Sequence, residues 1–241
     1  MILGIFFMPD RQQDIEYMQR AIALAKKGAG FVNPNPMVGC VVVKDNEIIA
    51  EGYHEYYGGF HAERNALTHT TADCNGATLY VTLEPCCHYG KTPPCAELII
   101  RKGVGRVVVG MLDPNPMVAG RGISMLREAG IEVVVGILEN ECRELNKRFI
   151  CLHQNKRPYV VLKWAQTGDG FIDRCREYCG DSKESVAPKQ ALCISTPATK
   201  KIVHKMRAEN MSIMVGTRTV LLDNPRLLNT HWEGRHPIRI T

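Results

Sequence analysis

A histidine, a carboxylate and two cysteines stand in an order that suits a metal ion: His61-Ala62-Glu63, then Pro85-Cys86, then Cys95. Zinc takes imidazole nitrogen and thiolate sulfur, and three protein ligands leave a fourth position for water. Such a water has its pKa drawn from ~15.7 towards ~7, which makes a nucleophile at neutral pH. Glu63 lies two residues beyond His61, near the metal but unable to share its approach. That place suits a proton shuttle from water to a leaving amine. Plainer readings exist for each part. His-X-Glu is common, and two thiols can be unrelated, because a buried cysteine packs as a small hydrophobe. A closed structural site would need a fourth ligand, from Cys87 or His88. The combination favours catalytic zinc: His-Ala-Glu at a helix start, an apolar strand, Glu84-Pro85-Cys86, and Cys95 opening a helix.

The surrounding pattern predicts the elements that would hold these residues. Ile15, Met18, Ile22 and Ala25 recur at helical spacing, with Asp14 as a cap and Gly28 as a stop. Asn33-Pro34-Asn35-Pro36 is a rigid turn. Val38 to Val43 and Ile48 to Glu51 read as a hairpin. A helix follows from His61 to about Thr68, a strand from Thr78 to Leu83 and a helix from Cys95 to Lys102. Then come a strand from Val104 to Met111, a helix from Gly122 to Ala129, a strand from Ile131 to Ile137 and a helix from Glu139 to Phe149. Helices alternating with short, doubly apolar strands imply a central sheet covered on both faces, an α/β domain. Cys151 to Pro158 reads as a polar connector. Beyond it lie an expected strand over Tyr159 to Ala165, a helix from Thr196 to about Asn210, and strands over Ser212 to Gly216 and His236 to Thr241. The sequence shows no long internal repeat and no low-complexity tract.

Composition narrows the function classes. With 45% hydrophobic and 23% charged residues over 241, disorder and collagen-like repeats are excluded, and one or two domains are expected. No apolar run approaches the ~20 residues of a membrane helix. Met1 to Met8 is apolar but lacks a basic n-region and a cleavage site, so it reads as a dispensable extension or an early start, not a signal peptide. Ten cysteines without a short-chain disulfide pattern suit a cytoplasmic protein with reduced thiols, some of them metal ligands. Residues 1–150 carry 15 basic and 17 acidic side chains, a net −2, while residues 151–241 carry 15 and 8, a net +7. The first balance argues against a nucleic-acid groove. The second suits anionic small molecules or an acidic complement.

His61-Ala62-Glu63 with Pro85-Cys86 resembles the cytidine/deoxycytidylate deaminase superfamily, although most members place the second cysteine three positions after the first and here the two are nine apart. The run from Thr82 to Cys95, with Asn33 to Gly39 and Gly58 to Glu63, closely resembles the RibD family of riboflavin-biosynthesis enzymes over roughly residues 12–150. The resemblance implies a cytidine deaminase-like three-layer α/β/α domain followed by the first half of a dihydrofolate reductase-like α/β domain. It implies residues 1–11 as an N-terminal extension, 12–150 as a zinc-dependent deaminase domain, 151–157 as a linker and 158–241 as a partial reductase domain. It further implies deamination of a diaminopyrimidine bearing a ribosylamino 5′-phosphate. Zinc would sit on His61, Cys86 and Cys95, Glu63 would move the protons, and Asn35, His54, His88 and Lys91 would line the substrate pocket. Asn35 can read a ring edge, and Lys91 can meet a phosphate as a point charge. On residue physics alone, Asn35 can be a turn residue, His54 a surface hairpin histidine and Lys91 a solvated loop lysine.

Leu162 to Gly170 and Met214 to Pro225 resemble the opening of the family's NADPH-dependent reductase domain. The resemblance carries Lys163, Thr219 and Asp223 into its substrate or cofactor site, with Arg207 as a phosphate contact that is equally well a solvated helix arginine. The family's Leu-Thr-X-Arg reads Leu227-Leu228-Asn229-Thr230 here, with Arg226, His231 and Arg235 as substitutes. Only the first half of that domain's pattern is present, so the reductase step is expected to be lost or incomplete. The runners-up are a tRNA or free-base/nucleoside deaminase of the same superfamily, and a non-catalytic zinc-stabilised module. The expected partner is a small phosphorylated pyrimidine, without nucleic acid or membrane, in a possible homo-oligomer.

Overall fold

The computed structural model describes residues 11–89, 93–115, 118–173 and 192–241. The chain divides into two compact units, one through Tyr159 and one from Val160. Among the described residues no helix is long and apolar enough to cross a membrane.

The first unit is a five-stranded sheet of order β2-β1-β3-β4-β5. Its strands are β1 Gly39–Lys44, β2 Glu47–Tyr53, β3 Thr78–Leu83, β4 Arg106–Met111 and β5 Glu132–Val135. β1 pairs antiparallel with both β2 and β3, and β3, β4 and β5 run parallel. The helices are α1 Arg11–Ala25, α2 Ala62–His69, α3 Cys95–Arg101, α4 Arg121–Glu128, α5 Glu139–Leu145 and α6 Lys147–Asn155. Alternation along each strand feeds two cores. Cys40, Val42, Leu79, Val81, Val107 and Val109 pack with α2, α3 and α4 on one face. Val41, Val43, Tyr80 and Val108 pack with α1, α5 and Ile150 on the other. This is the expected three-layer α/β/α arrangement. Two glycines let helices sit close to the sheet: a Cβ at Gly39 would fall 1.9 Å from the Ala21 carbonyl oxygen, and one at Gly52 would fall 2.5 Å from that of Ala62.

Several local expectations change. α1 starts at Arg11, so Asp14 lies inside its first turn rather than at its cap. Asp14 is buried and takes a bidentate contact from the Arg106 guanidinium at 2.8 and 2.9 Å and a hydrogen bond from the Tyr80 hydroxyl at 3.0 Å. A carboxylate so placed is engaged across the sheet and has no part in capping. The helix expected over Glu139 to Phe149 breaks at Asn146, and α6 runs on through Cys151 to Asn155, where a polar connector was expected. Asn146 is buried, accepts from the Met37 N–H at 2.8 Å and donates to the Met37 carbonyl at 2.9 Å, pinning the Asn33–Pro36 turn from behind.

The second unit carries α7 Pro197–Glu209, β6 Ser212–Met214, α8 Thr217–Asp223 and β7 Ile238–Ile240. Thr196 caps α7 by accepting from the Thr199 N–H at 3.2 Å. β6 and β7 pair in parallel as a two-stranded sheet. Tyr159–Ala165 forms no strand: its apolar side chains are largely exposed, and a β-branched run takes strand form only against a neighbouring ladder.

Candidate metal centre

His61 sits at the N-cap of α2 in an extended conformation, so its ring leaves the helix axis while Ala62 and Glu63 enter the first turn. β3 ends at Leu83, and Cys86 follows three residues past it. Cys95 opens α3, and its N–H donates to Cys86 Sγ at 3.3 Å. His61 Nδ1 lies 3.5 Å from Cys86 Sγ and 3.5 Å from Cys95 Sγ. The three donor atoms lie within 4.8 Å of one another. A tetrahedral zinc with nitrogen and sulfur at their usual bond lengths would hold N and S about 3.6 Å apart, so the donor set and spacing fit zinc. Among the described residues the cluster holds no fourth His, Cys or carboxylate ligand. Cys87, half-buried, and His88, exposed, are outside it.

The electrostatics run the same way. Hydrogen bonding from Cys95, then from His61, draws the Cys86 thiol down to about 4. The contact with Cys86 raises the His61 imidazole to about 9. Nδ1 thus faces an anionic sulfur that stabilises positive charge, and a metal cation can take the place of that proton. Glu63 is 3% exposed. Burial raises its carboxyl to about 7, against the pull of the nearby His61.

Two of the expected pocket residues, Asn35 and His54, connect to this cluster. The Asn35 side-chain Nδ2 meets His54 Nε2 at 3.0 Å, and His54 Nδ1 meets the Phe60 carbonyl at 2.8 Å. With Nδ1 donating to the Phe60 carbonyl and Nε2 accepting from the Asn35 amide N–H, the buried His54 is neutral and fixes the Asn35 amide. Burial lowers the His54 imidazole accordingly. The His54 and His61 rings meet edge-on, with centroids 5.9 Å apart. His54 is therefore a buried link, not a surface hairpin residue. Lys91 lies outside the described residues.

Two acidic residues near the centre had no role in the sequence reading. Glu84 is buried with its carboxylate among backbone N–H groups. Asp113, directly after β4 and Leu112, accepts from the Asn115 N–H at 2.8 Å, and burial raises its carboxyl. The sequence carries a signal for the second: Asn33-Pro34-Asn35-Pro36-Met37-Val38 recurs as Asp113-Pro114-Asn115-Pro116-Met117-Val118, a short repeat within a chain otherwise without one.

In the second unit Lys163, Thr219 and Asp223 are exposed, with Thr219 and Asp223 one turn apart in α8. Arg207 is half-buried and donates from Nη1 to the Leu228 carbonyl at 2.8 Å. Thr230, at the family's arginine position, donates its N–H to His204 Nδ1 at 2.9 Å.

Residues 11–111 match the cytidine and deoxycytidylate deaminase zinc-binding region, and residues 158–241 match the RibD C-terminal domain. The chain is 52% identical over 227 residues to the riboflavin biosynthesis protein RibD of Actinobacillus pleuropneumoniae, covering 94% of this chain and 57% of that one. It is 43% identical to RibD of Escherichia coli, over 89% of this chain and 55% of the other. A solved Thermotoga maritima structure, a diaminohydroxyphosphoribosylaminopyrimidine deaminase/5-amino-6-(5-phosphoribosylamino)uracil reductase, superposes with a TM-score of 0.83 at 49% identity. The match covers 95% of this chain and 62% of that one. Acinetobacter baumannii RibD gives 0.83 at 41% identity, over 95% and 63%. The chain thus spans a little over half the length of the curated relatives it matches.

Proposed function

Because this chain belongs to the RibD family, we propose that its first unit hydrolytically deaminates a diaminopyrimidine bearing a ribosylamino 5′-phosphate. Water enters at ring carbon two, the exocyclic amine there leaves as ammonia, and a carbonyl remains. The observation that carries this reading is the pair of 3.5 Å contacts from His61 Nδ1 to two thiol sulfurs, with the buried Glu63 one residue into the adjoining helix.

His61, Cys86 and Cys95 would hold the zinc. When bound there with an open position, zinc would make water nucleophilic at neutral pH. Glu63 would take a proton from the attacking water and return it to the departing amine. Its burial keeps bulk solvent from competing for the transfer. Asn35 orients the ring through its side-chain amide, whose nitrogen His54 holds. His88 is exposed and within reach of solvent, and it and Lys91 are proposed to meet the phosphorylated end of the substrate.

The RibD family uses NADPH in its reductase domain. Among the described residues of the second unit, Lys163, Thr219 and Asp223 are exposed and Arg207 is engaged with Leu228. These residues do not form a fitted holder for the dinucleotide, and reduction is not assigned to them.

The test is ammonia release from the diaminopyrimidine phosphate by zinc-loaded protein, with cytidine and deoxycytidylate as controls. Release from the diaminopyrimidine alone supports the proposal. Release from the controls alone favours a nucleoside or nucleotide deaminase. Tightly held zinc without any turnover favours a zinc-stabilised module.

A further inference from the structure

Nothing in the chemistry above uses Glu84, although it is 4% exposed and stands two residues before a metal-ligand candidate. Its two carboxylate oxygens are engaged by main-chain donors. Oε2 accepts from the Gly120 N–H at 2.9 Å and the Asp113 N–H at 3.2 Å. Oε1 accepts from the Gly122 N–H at 3.0 Å and the Ile123 N–H at 3.4 Å. These donors are the first turn of α4 and the start of the loop after β4.

A helix start leaves its first N–H groups without intrahelical partners, and an N-cap side chain normally accepts from one of them. The N-cap of α4 is Gly120, left-handed with φ 79 and without a side chain. Glu84 provides the missing acceptor from the end of β3, and its charge suits the positive end of the helix. Gly122 completes the fit. A Cβ there would lie 2.0 Å from the Pro85 carbonyl oxygen, so only glycine lets α4 seat against this turn. On the other side Cys86 is held by α3, through Cys95 N–H to Sγ at 3.3 Å and Ala96 N–H to the Cys86 carbonyl at 3.1 Å.

We propose that Glu84 is a positioning residue of the metal centre: by anchoring the Glu84–Cys86 turn to α4 and the Asp113 loop, it sets where the Cys86 sulfur stands and couples metal binding to order at residues 113 and 120–123. This rests on the reading of His61, Cys86 and Cys95 as metal ligands. Coupling of this kind is reciprocal: what orders Cys86 for the metal is in turn ordered by it.

The test is Glu84→Gln, which keeps the shape but turns one acceptor into an N–H₂ group facing N–H donors. Zinc affinity, measured by competition with a chromophoric chelator, should weaken about 10- to 100-fold, as for other partners of metal ligands. The visible spectrum of the cobalt-substituted protein should shift as the Cys86 sulfur moves. Wild-type affinity and an unchanged cobalt spectrum in folded Glu84→Gln would overturn the proposal. If that variant does not fold, wild-type amide exchange decides. Exchange at Gly120, Gly122 and Ile123 should slow when zinc is added to metal-free protein, and equal rates would overturn it. A wild-type chain that takes up no zinc would overturn the metal reading as well, which separates the two failures.

Discussion

In the first unit β1, β3 and β4 are buried along nearly their whole length, with helices packed on both faces. In the second unit the β6–β7 pair shows Met214 at 71% and Ile238 at 64% exposed, and α8 buries none of its residues. Both units use the same residue types, with β-branched strands next to helices. What separates them, among the described residues, is that β1, β3 and β4 each have a strand on both edges and helices over both faces, whereas β6 and β7 have only each other. A site needs atoms held to a few tenths of an ångström, and that precision comes from packed surroundings. The His61–Cys86–Cys95 cluster has them: His61 and Cys95 stand at helix starts, and Cys86 lies in the turn that leaves the buried strand β3. The residues Lys163, Thr219 and Asp223 do not.

The largest effect is expected at Glu63. Glu63→Gln should lower ammonia release by about 10²- to 10⁴-fold while one zinc per chain remains, as read by metal analysis beside a coupled ammonia assay. Activity within a few fold of wild type would remove the proton-transfer role. Next is the buried anchor of the first unit. Asp14→Ala leaves the Arg106 guanidinium and the Tyr80 hydroxyl without their acceptor, and should cost about 3–5 kcal/mol in denaturant unfolding of that unit. A cost below about 1 kcal/mol would show that Arg106 finds ample water.

A smaller, graded effect concerns the two units directly. Limited proteolysis or amide exchange should open segments beyond Val160 before the strands of the first unit, because few of their described residues are buried. Equal protection would erase the distinction drawn here. The smallest effect belongs to the exposed Arg20–Glu51 pair, joined at 2.6 and 2.8 Å. Arg20→Ala should change stability by less than about 1 kcal/mol. Its sign with pH is fixed by the Glu51 carboxyl, which Arg20 holds below its ordinary value of 4.5. The pair's contribution is present above that value and lost as pH falls through the lowered one. The Arg20→Ala and wild-type stability curves should therefore converge in acid.

Much of the first unit was legible in the residues. β3 runs from Thr78 to Leu83 as the apolar run predicts, and α3 opens at Cys95 as expected. The metal cluster was legible because ligand chemistry restricts residue type and spacing together. Asp14 was misread because a cap and a buried ion pair demand the same local sequence, and Arg106 lies 92 positions away. Asn146 looked like one more polar helical residue until its reach to Met37 was visible, 109 positions back. Glu84 was silent for a related reason: its partners are backbone N–H groups, which carry no signature in sequence. Tyr159–Ala165 has the composition of a strand, but composition cannot show whether a neighbouring ladder lies beside it.

The proposed chemistry rests on one imidazole nitrogen and two thiolate sulfurs around a zinc ion with a fourth position left open. X-ray absorption at the zinc edge of the purified, zinc-loaded protein tests it most directly. Two sulfurs at about 2.3 Å and two lighter atoms at about 2.0–2.1 Å are expected. A shell of three or four sulfurs, with Cys87 closing the site, or a shell with no sulfur at all, would contradict it.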